Sequence, residues 1–161
     1  MRSPVLGMLL LSLICLVSGC GGGGGGATGS GPTATTATVV IKTVGAPTTL
    51  YGVQFKVQIP TGVTLATEGA GVIAAGVMIP SGGATGGLLE AGYQSSNSPQ
   101  TATVSVTHGS GFQVGEFMTM TVTVPPGTVL LPADLVLSEF KAYDNFNGIP
   151  TVAITGTATV L

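Results

Sequence analysis

The residues that could do chemistry are few and scattered. The chain has one histidine, His108 in VTHGSG, with Ser110 two positions on. A serine and a histidine become nucleophile and base only when an acid orients the imidazole, and the local sequence supplies none. The six carboxylates, Glu68, Glu90, Glu116, Asp134, Glu139 and Asp144, fall one to a segment. A glycosidase pair would therefore have to be assembled by the fold alone. DNFNG (Asp144 to Gly148) has the outline of a calcium loop. Such loops place oxygens at positions 1, 3 and 5 and a glutamate at position 12. Here those places hold Phe146 at 3, Gly148 at 5 and Thr155 at 12. A hairpin turn built on Asn-Gly, two residues that tolerate positive φ, is the better reading. No catalytic residue, metal or cofactor is expected.

Cysteine carries more information. Arg2 precedes a 13-residue apolar run, Val5 to Val17. A helix crossing a hydrocarbon core of about 30 Å needs roughly 20 residues, so the run is too short to span and fits a secretory signal. It closes on Val17-Ser18-Gly19-Cys20, which resembles the lipobox of bacterial lipoproteins. The resemblance implies cleavage before Cys20, acylation of that residue and anchoring to a membrane. Each buried CH₂ is worth about 0.8 kcal/mol, and two or more chains hold stably where one does not. Gly21, rather than an aspartate after the cysteine, implies an outer-membrane destination where the cell has one. Cys15 lies in the removed segment, so the mature domain has no free thiol, disulfide or thiolate metal site.

Residues 21–36 are Gly, Ala, Ser, Thr and one Pro. Such a stretch cannot bury enough surface to fold. At this length it spans about 20 Å on average, with a contour of roughly 50 Å. The six consecutive glycines lack the strand, helix and Lys-Ser/Thr pair of a phosphate loop. The expected organisation is a signal peptide (1–19), a lipidated cysteine with a flexible linker (20–36) and one extracytoplasmic domain (37–161).

The 125 residues of that domain suit one core. The chain has 23 threonines, and charged residues make up 6 % against an average of about 25 %. Without Arg2, three lysines face six carboxylates, a net of −3. That balance excludes a nucleic-acid binder, which needs a basic face.

The domain reads as period-two segments between turns. In LYGVQFKVQIP (Leu50 to Pro60), Tyr51, Val53, Phe55, Val57 and Ile59 should point inward, and Gly52, Gln54, Lys56 and Gln58 outward. Ala102, Val104 and Val106 form a second inward set, and Met118, Met120, Val122 and Val124 a third. Residues 63–66, 71–75 and 77–79 are compatible with short strands, the latter two equally with a helical turn. Leu135 to Ala142 and Thr151 to Val160 should close the fold, joined by the turn YDNFNGIP. The expectation is an all-β sandwich or jelly roll of about nine strands.

LYGVQFKVQIPTGVTL resembles the second-strand signature of cohesin domains. GEFMTMTVTVPPGT and LVLSEFKAYDNFNGIPTVAITGTATV resemble later cohesin strands, in the same order along residues 37–161. The resemblance implies a nine-stranded jelly roll that binds a protein partner of the dockerin kind through one sheet face. It is also similar in fold to carbohydrate-binding modules, which makes a polysaccharide the alternative ligand. Sugar sites usually stack pyranose rings on exposed aromatics; this chain has no Trp and only Tyr51, Tyr93 and Tyr143 among tyrosines. Tyr143, Asp144, Asn145, Phe146 and Asn147 are the candidate binding residues, at one end of the sandwich. Two coplanar exposed tyrosines would favour glycan, and a weakly polar strip without them a protein. Thr119, Thr121 and Thr123, with Thr155, Thr157 and Thr159, put hydroxyls in rows on solvent-facing strands.

Overall fold

The computed structural model describes residues 33–144, 151 and 154–161. Its strands are β1 (Thr35–Val44), β2 (Thr49–Ile59), β3 (Met78–Pro80), β4 (Leu88–Gln94), β5 (Gln100–Gln113), β6 (Glu116–Val124), β7 (Val136–Tyr143) and β8 (Thr155–Val160). Two four-stranded sheets, ordered β3-β6-β1-β8 and β4-β5-β2-β7, pair antiparallel throughout. They enclose one hydrophobic core, so the fold is a β-sandwich. Among the described residues, no helix is long and apolar enough to cross a membrane.

The described residues hold eight strands rather than nine, and the difference lies between β2 and β4. Residues 63–66 touch β6 only through a Thr64–Thr123 bridge, and residues 71–75 contribute single bridges at Val72 and Ile73. Glycines at 62, 69, 71 and 76 all adopt positive φ there, which interrupts a ladder before it can extend. Only Met78–Pro80 becomes a strand.

The expected alternation holds where the ladder is regular. Val53, Phe55, Val57 and Ile59 are buried, as are Ala102, Val104, Val106 and the set from Met118 to Val124. Tyr51 departs from it. The register between β2 and β5 shifts between Leu50 and Gly52, where four residues of β5, His108 to Gly111, oppose the one position Tyr51. Below that irregularity the parity changes, so Leu50 is fully buried and Tyr51 only half-buried. Gly111 sits at φ +75°, and a Cβ there would meet Thr49 Cγ2 at 2.4 Å, so the distortion depends on glycine.

The last two strands also differ from expectation. β7 and β8 belong to opposite sheets, so they are not the paired arms of a hairpin; residues 145–150 between them lie outside the described residues. Among the described residues a single Ala142–Thr151 bridge pairs the two arms. Phe140 packs so closely over Gly156 that a Cβ there would lie 2.3 Å from its ring, which ties β8 across the core instead of beside β7.

Aromatic rings hold the centre. Phe55 meets Phe117 edge to face at 5.8 Å and Phe140 at 6.0 Å, and Phe112 stacks on Phe117 at 6.2 Å. Phe117 joins them because β1 shifts register against β6 between Ile41 and Lys42, turning both Phe117 and Met118 inward. Phe55→Ala should therefore destabilise the domain by about 3–5 kcal/mol. Lys56→Ala, one residue along but on the outer face, should cost less than about 1 kcal/mol. Urea unfolding of the two variants checks this; equal losses would mean the strand is in the other register.

Candidate binding site on one sheet face

The side chains of β4, β5, β2 and β7 that turn away from the core line up in four cross-strand rows. From the registers these are Leu88–Thr107–Gly52–Tyr143, Glu90–Ser105–Gln54–Lys141, Gly92–Thr103–Lys56–Ser138 and Gln94–Thr101–Gln58–Val136. Between them runs an open groove of about 500 Å³ that touches all four strands. Its lining includes Gln54, Lys56, Glu90, Gly92, Glu139 and Lys141. That size is typical of ligand clefts. Gly92 leaves open space where a side chain would stand, with nothing within 4 Å of its Cβ position.

The groove gathers four of the domain's nine charged side chains. Two of the three lysines and two of the six carboxylates after Arg2 line it. Lys56 Nζ donates to Glu139 Oε1 at 2.6 Å. Glu90 and Lys141 have no hydrogen-bond or ion-pair partner among the described residues and stand at opposite ends of one row. Three strand spacings separate them, about 14 Å.

A distortion of β7 aims Glu139. Lys56 faces Ser138 while Gln54 faces Lys141, so two residues, Glu139 and Phe140, stand opposite the single Phe55. Phe140 turns in against Phe55, and Glu139 takes φ +50°. Left-handed backbone at a non-glycine residue is costly and concentrates at functional positions. It adds one carboxylate to the outer face that a regular strand would not have carried.

The opposite outer face is different in kind. There Thr36 pairs with Thr123 and Thr38 with Thr121, while Val40 lies between Thr119 and Thr159. The expected threonine rows form. Their methyls and hydroxyls cover the strand, leaving Val40 only 5 % exposed. Lys42, opposite Glu116 on β6 and Thr157 on β8, carries the charge at the end of this array.

Each expected site residue can now be placed. Tyr143 is on the groove face, lying over Gly52, and its hydroxyl donates to Gln54 Oε1 at 3.1 Å. Asp144 follows, exposed at the end of β7. Asn145, Phe146 and Asn147 lie outside the described residues, as does Cys20. Tyr93 points into the core and donates to the Gln100 side chain; burial pushes its phenol above the ordinary value, opposed by a backbone hydrogen bond with Leu65. Tyr143 thus supplies a ring to the groove face, and Tyr93 does not.

Three further carboxylates hold turns. Glu68 accepts the Ala75 N–H at 3.2 Å, Glu116 accepts the Ser81 hydroxyl at 2.8 Å, and Asp134 accepts the Leu131 N–H at 2.8 Å. His108 lies in the irregular stretch of β5, with Nδ1 buried and without a hydrogen-bond partner among the described residues. Among the described residues no cluster of three or more His, Cys, Asp or Glu could hold a metal ion.

Lys56, Glu90, Glu139 and Lys141 are the site residues that sequence reasoning missed. Outward parity could have found Lys56, Glu90 and Lys141, in strands whose other outward positions are uncharged, but not Glu139, which reaches the outer face through the irregularity in β7. No protein-family model, curated protein or solved structure matches the chain.

The strain at residue 139 is separable from its charge. Glu139→Gly and Glu139→Ala both delete the carboxylate, but only glycine relieves the backbone. The Gly variant should be the more stable by about 1 kcal/mol; equal unfolding midpoints would mean that position 139 carries no strain.

Proposed function

We propose that the chain is a membrane-anchored, non-catalytic, extracytoplasmic binding module, cohesin-like in its jelly-roll fold, which holds a protein partner at the cell envelope. Its anchor is the acylated Cys20, in the outer membrane where the cell has one, and it uses no metal or cofactor. The observation that carries this reading is the groove across β4, β5, β2 and β7, where Glu90 and Lys141, without partners among the described residues, accompany the Lys56–Glu139 pair. A domain with nine charged side chains has placed four of them, two of each sign, in one cleft. Such charges favour a complementary polar surface and select against mismatched ones. Because the four cancel, they give no long-range steering, and affinity should depend weakly on salt.

A polysaccharide is the second reading, and the observation that favours it is Tyr143 at the groove's end. A single tyrosine gives one stacking surface, whereas an extended glycan usually needs several. The protein reading is therefore the stronger.

The domain from Thr33 to Leu161, used as bait in envelope extract, should retain one protein. Glu90→Lys and Lys141→Glu should each weaken that complex by about tenfold or more, or 1.4 kcal/mol, while Thr121→Lys on the opposite face should leave it unchanged. Retention on an insoluble polysaccharide, lost in Tyr143→Ala, would instead establish the glycan reading, and turnover of any glycan or ester would refute a non-catalytic role. Separately, Cys20→Ser should move the protein from the membrane to the soluble fraction with its fold intact. A variant still held by the membrane would contradict the anchor.

A further inference from the structure

The segment carrying Cys20 joins the domain at Thr33, and β1 begins two residues later. Thr35, its first residue, pairs with Val124, the last residue of β6. The loop leaving β6 therefore starts one strand spacing, about 5 Å, from the point where the anchor segment arrives. That loop is well fixed. The Thr128 N–H donates to the Pro125 carbonyl at 3.1 Å, Leu130 is buried, and Asp134 holds the Leu131 N–H. Fixing Leu130 inward leaves its neighbours in water, with Val129 77 % and Leu131 54 % exposed.

One carboxylate stands beside them, Asp134, tied to the Leu131 N–H. Residues 125–133 contain no charged side chain, and neither do the turns 60–62 and 95–99 at the same end. Gly62 in the first of these turns lies against Pro125. An exposed aliphatic pair whose flanking residues 125–133 carry no charge, with the adjoining Asp134 held by backbone, is suited to an apolar surface.

We infer that Val129 and Leu131 form a lipid-contacting tip that seats this end of the domain on the membrane holding Cys20. The inference rests on the lipid anchor proposed above. Thirteen residues, 20–32, separate Cys20 from Thr33 and reach at most about 45 Å. An acylated Cys20 therefore brings the bilayer to this end of the sandwich before any other. The anchor supplies a high effective concentration, so a contact too weak to recruit a free protein is populated here. With no lysine in the tip, it enters the interface by apolar area alone, without a need for anionic lipid. Seating this end leaves Tyr143, at the opposite end of its strand, pointing away from the bilayer.

The chain has no tryptophan, so one introduced indole reports its own surroundings. The lipidated full-length chain is reconstituted in phosphatidylcholine vesicles as Val129→Trp and, for comparison, as Leu88→Trp. Leu88 is 74 % exposed and lies at the opposite end of the sandwich. The Val129→Trp variant should emit at shorter wavelength and be quenched several-fold more strongly by acyl-brominated lipid than Leu88→Trp, equally at low and high salt. Water-like emission from both variants on floating vesicles would overturn the inference while leaving the anchor standing. A blue shift without bromolipid quenching would identify a second copy as the occupant and also overturn it. Chains that fail to float with the vesicles would overturn the anchor itself, and the tip with it.

Discussion

The irregularity in β7 is the point on which interior and surface both depend. Opposite Phe55 the strand carries two residues instead of one. One of them, Phe140, closes the aromatic cluster and packs over Gly156 to bring β8 across the core. The other, Glu139, stands on the outside at positive φ and meets Lys56. Core packing drives the insertion of Phe140, and that insertion fixes where the carboxylate stands. A more regular strand would relieve the backbone but lose the close approach of ring to glycine and the pairing across the groove together.

The two outer faces divide the remaining work. Threonine pairs on β1, β6 and β8 satisfy a pleated surface with methyls and hydroxyls and ask nothing of a partner. On β4, β5, β2 and β7 the same pleat presents Gln, Lys and Glu around a gap left by Gly92. Three of the other carboxylates cap turns, so Glu90 stands apart in having no such task. With so few charges, the domain's solubility leans on hydroxyls and amides, and its charges are free to mark one place.

Much of the sandwich could be read from the chain. Alternation located the buried residues of β2, β5 and β6 because a half-buried strand exposes its period directly. Tyr51 was misjudged because parity survives only while the ladder is regular, and nothing in LYGV announces that four residues, His108 to Gly111, face this one position from the partner strand. The ninth strand failed for a local reason: residues 62–76 hold enough positive-φ glycine to break pairing. The placing of β7 and β8 in opposite sheets was hidden because its cause, Phe140 against Gly156, is a contact between strands. The groove was harder still. Glu90 and Lys141 are 51 positions apart in sequence and share a row only after β5 and β2 come between them. Tyr143 could be nominated because it adjoins a recognisable turn, whereas Lys56 looked like an ordinary outward lysine.

The central claim is that the β4-β5-β2-β7 face, and not the threonine face, meets another protein. A photo-activated cross-linking side chain placed at Thr103 in the groove, or at Thr121 on the opposite face, tests it most directly. Both positions are exposed. Irradiation of intact cells making each full-length variant, followed by mass spectrometry of the adducts, reads the contact in place. One protein joined at position 103 and none at 121 is the predicted result. Adducts formed at 121 alone, or the same adducts from both positions, would contradict it.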